Sequence, residues 1–120
     1  KNENDFDWDE AVVYFMMTDR FFDGNESNNT ASGTDTYGDN PGLYHGGDFA
    51  GVTAKLDYLQ DLGVNTIWLT PIVKNIAGVT VTDEGSEDVP YNAAYHGYWA
   101  SDFTKLNPTL GTTEELCYKQ

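Results

Sequence analysis

The heptapeptide Ala94-Tyr95-His96-Gly97-Tyr98-Trp99-Ala100 gathers three aromatic rings, an imidazole and a glycine. Aromatic faces suit pyranose sugars, whose axial C–H groups form an apolar patch, and an adjacent imidazole can exchange a hydrogen bond with a ring hydroxyl. The same residues would also serve as a buried aromatic plug, and composition leaves both readings open. A second concentration of donor atoms is Asp23-Gly24-Asn25-Glu26-Ser27-Asn28-Asn29, where Asp23, Asn25, Asn28 and Asn29 offer side-chain oxygens. Hard cations such as Ca²⁺ take oxygens of this kind. The run is not an EF-hand loop, because Asn28 stands where that loop needs glycine and Thr34 where it needs a bidentate glutamate. An ordinary turn held by Asn and Asp side chains bonding to their own backbone is the alternative.

Three further features carry little chemistry. Asn25-Glu26-Ser27 and Asn28-Asn29-Thr30 match a glycosylation acceptor pattern too short to weigh. His45, beside Gly46 and Gly47, reads as a surface or packing histidine. Cys117 is the sole cysteine, so no intrachain disulfide can form, and a lone thiol beside a helix is ordinarily packing.

These residues need elements to position them. Ala11 to Met17 is a short continuous apolar run, the pattern of a strand covered on both faces in a parallel sheet. The polar stretch from Asp19 to Asp48 is too long to be an idle connection. Asp48 reads as an N-cap for a helix whose stripe is Phe49, Val52, Leu56 and Leu59, continued by Leu62 and stopped by Gly63. Val64 to Pro71 is a second β-rich run, so strand, loop, helix and strand make a βαβ unit. Gly78 to Thr82 alternates like an edge strand, and Asp83 to Asp88 reads as an acidic turn without assigned chemistry. Thr112 and Glu115 form a capping box that opens a final helix. No internal repeat or interdomain linker is evident.

Composition bounds the partners. The 120 residues are 39% hydrophobic and 14% aromatic, enough to build a core. Twenty acidic against six basic residues give a net charge of −14, which opposes nucleic acid and anionic membrane surfaces. No apolar run approaches the roughly 20 residues of a spanning helix. Lys1 to Asp5 lacks the basic and apolar regions of a signal peptide, so the protein is intracellular or a leader has been removed.

Taken in order, Thr18-Asp19-Arg20-Phe21, Asp23-Gly24-Asn25 with Asn28-Asn29, Gly46-Gly47-Asp48-Phe49, Leu62 to Pro71, and Tyr95-His96-Gly97-Tyr98-Trp99 with Asp102-Phe103 and Asn107-Pro108 resemble the start of the α-amylase family catalytic domain. The loop pattern is most similar to cyclodextrin glucanotransferases and maltogenic or bacterial α-amylases. The resemblance implies an α/β fold, the first two to three βα units of a (β/α)₈ barrel, with residues 1–120 as an N-terminal part of that domain carrying a calcium loop at 19–48 and a second loop at 71–98. It implies Val12 to Thr18 as the first strand, Phe49 to Leu62 as the first helix and Thr66 to Leu69 as the second strand, with the functional loops at the strands' C-terminal ends.

By the same resemblance, Tyr98 stacks on a sugar, His96 bonds one of its hydroxyls and Trp99 lines the subsite. Asp23, Asn25, Asn28, Asn29, Asp48 and the Gly46 carbonyl match a calcium site. The implied partner is an α-glucan such as starch or a maltooligosaccharide, cut or transferred with retention by a secreted enzyme. Glucanotransferases often carry a disulfide within the 29–46 loop, which this chain cannot form. The acidic stretch Thr82 to Pro90 has no counterpart. The family's nucleophilic Asp, acid/base Glu and transition-state Asp lie on later strands, so no catalytic residue is expected within these residues. The alternative is a non-catalytic calcium-stabilised or carbohydrate-binding module, and further βα units bearing those carboxylates after Gln120 would discriminate. Unpaired strand edges lead us to expect self-association of the isolated chain.

Overall fold

The computed structural model describes residues 6–80 and 91–117. Aromatic and β-branched residues form β1 (Val13–Met16), followed by the short α1 (Thr18–Phe21). The long loop then leads to α2 (Phe49–Ala54) and α3 (Leu56–Asp61), and the chain returns as β2 (Thr66–Leu69). The strands pair in parallel, with Val13 opposite Thr66 and Met16 opposite Leu69. Parallel pairing needs a crossover, which the loop and the two helices supply. Asn65 extends the pairing through its side chain, accepting from Val12 N at 2.8 Å and donating to Glu10 O at 3.0 Å.

The core forms where this pair meets the helices. Met16, Val52 and Leu59 are buried, with Tyr14, Phe21, Leu56, Val64, Ile67 and Leu69 packed against them. The expected helical stripe holds at Phe49, Val52, Leu56 and Leu59 but stops there, since Leu62 is 57% exposed at the helix end. The expected single helix is two segments. Lys55 adopts φ −107° and ψ 12°, and its N–H reaches back only three residues to Val52 O, a tightened turn that breaks the α ladder. Gly63 supplies the left-handed stop with φ 93°.

Alternation along the strands sends their other side chains away from this core. Val13, Phe15 and Trp68 are exposed, so among the described residues the pair is covered on one face rather than two. The Phe15 and Trp68 rings lie 4.8 Å apart on that open face.

After β2 the chain builds an antiparallel arm. β3 (Val73–Asn75) pairs with β6 (Ala100–Leu106), and β4 (Gly78–Thr80) with β5 (Tyr91–Ala93). The expected edge strand is therefore present as far as Thr80, while Val81, Thr82, the acidic turn 83–88 and Lys1 to Asp5 lie outside the described residues. β6 carried no expectation. α4 (Thr113–Cys117) follows the capping box, in which Glu115 N donates to Thr112 Oγ1 at 3.2 Å and Thr112 N to Glu115 Oε1 at 3.1 Å. Cys117 is exposed on it rather than packed.

Candidate sugar wall and cation loop

The aromatic cluster sits in a turn between β5 and β6, against the end of β2. Gly97 has φ 84° and donates to Ala94 O at 3.1 Å, and a side chain there would strike the Pro71 carbonyl. Only glycine meets both demands without strain. Trp99 is anchored through its backbone, donating to Asn75 Oδ1 at 2.6 Å and accepting from Ile76 N at 2.9 Å.

His96 is the hub of the rings. Its centroid lies 4.4 Å from Trp99, edge-on at 88°, and 5.3 Å from Tyr95 at 69°. Tyr98 lies 5.9 Å away and nearly parallel, at 28°. The Tyr98 backbone N–H donates to His96 Nδ1 at 3.0 Å. A backbone N–H can only donate, so Nδ1 is unprotonated and the neutral ring carries its proton on Nε2. Burial lowers the imidazole pKa from its usual 6.5, in agreement with a neutral ring. His96 is thereby prepared as a hydrogen-bond donor. Tyr98 is 64% exposed, which excludes the buried plug for this ring.

The polar loop gathers a different chemistry. Asn29 Nδ2 donates to Asp23 Oδ2 at 2.6 Å, while Asp23 Oδ1, Asn29 Oδ1 and both polar atoms of the Asn28 amide are buried without a protein partner. Gly46, at φ 94°, closes on the same pair: a Cβ there would lie 2.5 Å from Asp23 Oδ2 and 3.0 Å from Asn29 Oδ1. Buried polar atoms are ordinarily satisfied, so unpaired oxygens on Asp23, Asn28 and Asn29 fit a hard cation.

Asn25 and Asp48 also hold the loop backbone. Asn25 Oδ1 accepts from Ser27 N at 3.1 Å and Ser27 Oγ at 2.6 Å. Asp48 Oδ1 accepts from Gly24 N at 3.0 Å and Gly51 N at 2.7 Å, and its Oδ2 from Asn25 N at 3.0 Å. Asp48 is fully buried. Burial, with a smaller contribution from the Asp23 charge, raises its pKa above the usual 3.8, and a cation nearby would oppose that rise.

Sequence reasoning gave no role to several residues that bind these regions together. Asp19, 1% exposed, accepts from His45 N at 2.9 Å and Gly46 N at 3.2 Å. Burial raises its pKa against those bonds and the Arg20 guanidinium. Tyr44, 1% exposed, donates its hydroxyl to Ala94 O at 3.2 Å and accepts from Asn107 Nδ2 at 3.2 Å. Such pairs span tens of residues, and only an apolar stretch interrupted by a polar side chain hints at them.

The family described as alpha amylase, catalytic domain, matches residues 15–118. The periplasmic alpha-amylase of Escherichia coli is 44% identical over 112 residues, covering 92% of this chain and 16% of that protein. A cyclomaltodextrin glucanotransferase of Bacillus licheniformis is 45% identical over 118 residues, covering 96% and 16%. The crystal structure of gamma-CGTase from alkalophilic Bacillus clarkii superposes with a TM-score of 0.75 at 32% identity, covering 95% of this chain and 16% of that one. The chain thus spans about a sixth of these relatives. Over nearly all of its own length, it belongs to the alpha-amylase catalytic-domain family.

Proposed function

We propose that this chain forms the sugar-binding wall and a calcium-pinned loop of a retaining enzyme that acts on α-1,4-glucosidic bonds. The observation that carries the reading is Tyr98, an exposed ring with His96 held beside it as an Nε2 donor. Tyr98 offers its face to a glucose unit, His96 donates to a hydroxyl and Trp99 completes the subsite. The amylase and glucanotransferase relatives support an α-glucan as the ligand, and the periplasmic relative supports a destination outside the cytoplasm. Residues 1–120 then belong to one barrel domain, contributing its first two to three βα units with the loops 19–48 and 71–98.

The wall binds and orients; it does not cleave. Retaining hydrolysis needs two carboxyl groups about 5 to 5.5 Å apart across the scissile bond. Aromatic stacking contributes about 0.5–1.5 kcal/mol beyond area burial, far below the roughly 8 kcal/mol or more of enzymatic acceleration. Asp23, Asn28, Asn29 and the Gly46 carbonyl would hold the calcium ion, with Asn25 and Asp48 shaping the loop around it. Bound there, the ion would offset carboxylate charge and rigidify the loop. Isothermal titration of the chain with maltotriose tests the reading: saturable binding that weakens about three- to tenfold in Tyr98→Ala supports it, and no binding overturns it. Starch–iodine clearing by the same chain is expected to fail, while a longer product bearing the later carboxylates clears; clearing by neither favours the non-catalytic module.

A further inference from the structure

We infer that Arg20 is a positioning residue for the sugar wall, tying the cation loop to Tyr95 and through it to His96; the inference rests on the sugar-binding reading above. Arg20 is the sole arginine of the sequence, and its donors are divided among three acceptors. Nε donates to Asp19 Oδ2 at 2.8 Å, while Nη2 donates to Pro41 O at 2.7 Å and Leu43 O at 2.8 Å. The guanidinium also covers the Tyr95 ring, its Cζ 4.0 Å from the centroid. Leu43 O takes a second bond from His45 Nδ1 at 2.9 Å.

These contacts form one connected set. At one end the Asp19 carboxylate, bound by Arg20, accepts the Gly46 N–H beside Asp23 and Asn29. At the other, Tyr95 stands edge-on to His96, which receives the Tyr98 N–H on Nδ1. A planar cation is required in the middle, because it must donate in its plane to loop carbonyls and to Asp19 while laying its face on a ring. Lysine supplies a point charge without that plane. Removing Arg20 frees Tyr95 and leaves the His96 ring without its backing, so the ring can rotate away from the Tyr98 N–H and both imidazole tautomers become populated.

The test uses the whole chain, with maltotriose titrated calorimetrically and the His96 imidazole followed by ¹⁵N NMR above the usual pKa of the ring. Circular dichroism and melting show which variants fold. Arg20→Met, Arg20→Lys and Tyr95→Leu are expected to weaken binding about five- to tenfold, and Tyr95→Phe to leave it unchanged. The double variant Arg20→Met/Tyr95→Leu should be no weaker than the worse single, since both remove one interaction. The wild-type imidazole should show the Nε2-protonated form, and Arg20→Met a mixture. Should Arg20→Met fail to fold, Tyr95→Leu, which keeps all three Arg20 acceptors, decides the matter. A folded Arg20→Met or Tyr95→Leu with wild-type affinity and an unchanged tautomer overturns the inference, as do additive losses in the double variant. If the wild-type chain does not bind maltotriose, the sugar reading fails, and the imidazole spectrum alone then decides whether Arg20 positions the ring.

Discussion

In the proposed sugar wall, Tyr98 would supply a surface and His96 a bond. Truncating the ring in Tyr98→Ala removes the stacking surface and is expected to weaken maltotriose binding about three- to tenfold, while Tyr98→Phe keeps it, as calorimetry will read. His96 adds a dependence on pH. Its folded pKa lies below the unfolded 6.5, so between the two values only the unfolded chain takes up the proton. Stability should therefore rise with pH across that window and level off above 6.5. Urea midpoints measured from pH 5 to 8 check the sign, and His96→Gln should flatten this part of the curve. Protonation at Nδ1 also removes the acceptor of the Tyr98 N–H, so sugar affinity should fall with it. At this scale the sequence was informative: ring types and their spacing mark the cluster. The tautomer was not legible, because it depends on a backbone N–H whose direction is set by the Gly97 turn.

At the level of elements, two short devices bear most of the positioning. Asp48 caps α2 and also holds the Gly24 and Asn25 amides, so Asp48→Ala should cost about 1–2 kcal/mol by denaturant titration, more than Asp48→Asn, which keeps one acceptor. The cation loop gives a separate expectation. If calcium binds only the folded chain, saturation at about 100 times its Kd adds about 2.7 kcal/mol, and chelation should lower the melting temperature correspondingly. Asn29→Ala should abolish that difference, and identical melts with and without chelator would remove the metal assignment. The cap, the glycine stop and the parallel pair were readable because each rests on local periodicity or capping chemistry. β6 was not, because its burial alternates weakly, with the polar Asp102 partly buried while the apolar Phe103 faces solvent. The break at Lys55 was hidden as well, since the apolar spacing continues across it.

For the molecule as a whole, the open face of the parallel pair is the dominant fact. Val13, Phe15 and Trp68 present apolar surface to solvent, and such a patch drives association when nothing covers it. The isolated chain should show a mass that grows with concentration in light scattering, and Phe15→Lys/Trp68→Lys should return it to monomer. The sequence shows both strands but implies cover on both sides, because apolar runs report what a strand can bury, not what is present to bury it. The Tyr44 hydroxyl draws the remaining pieces together, joining segments 50 and 63 residues apart through a single oxygen. Deleting that atom in Tyr44→Phe would loosen the backbone at Ala94, where the turn that carries the rings begins, while leaving every ring in place, making the suppleness of the proposed sugar wall adjustable independently of its recognition chemistry.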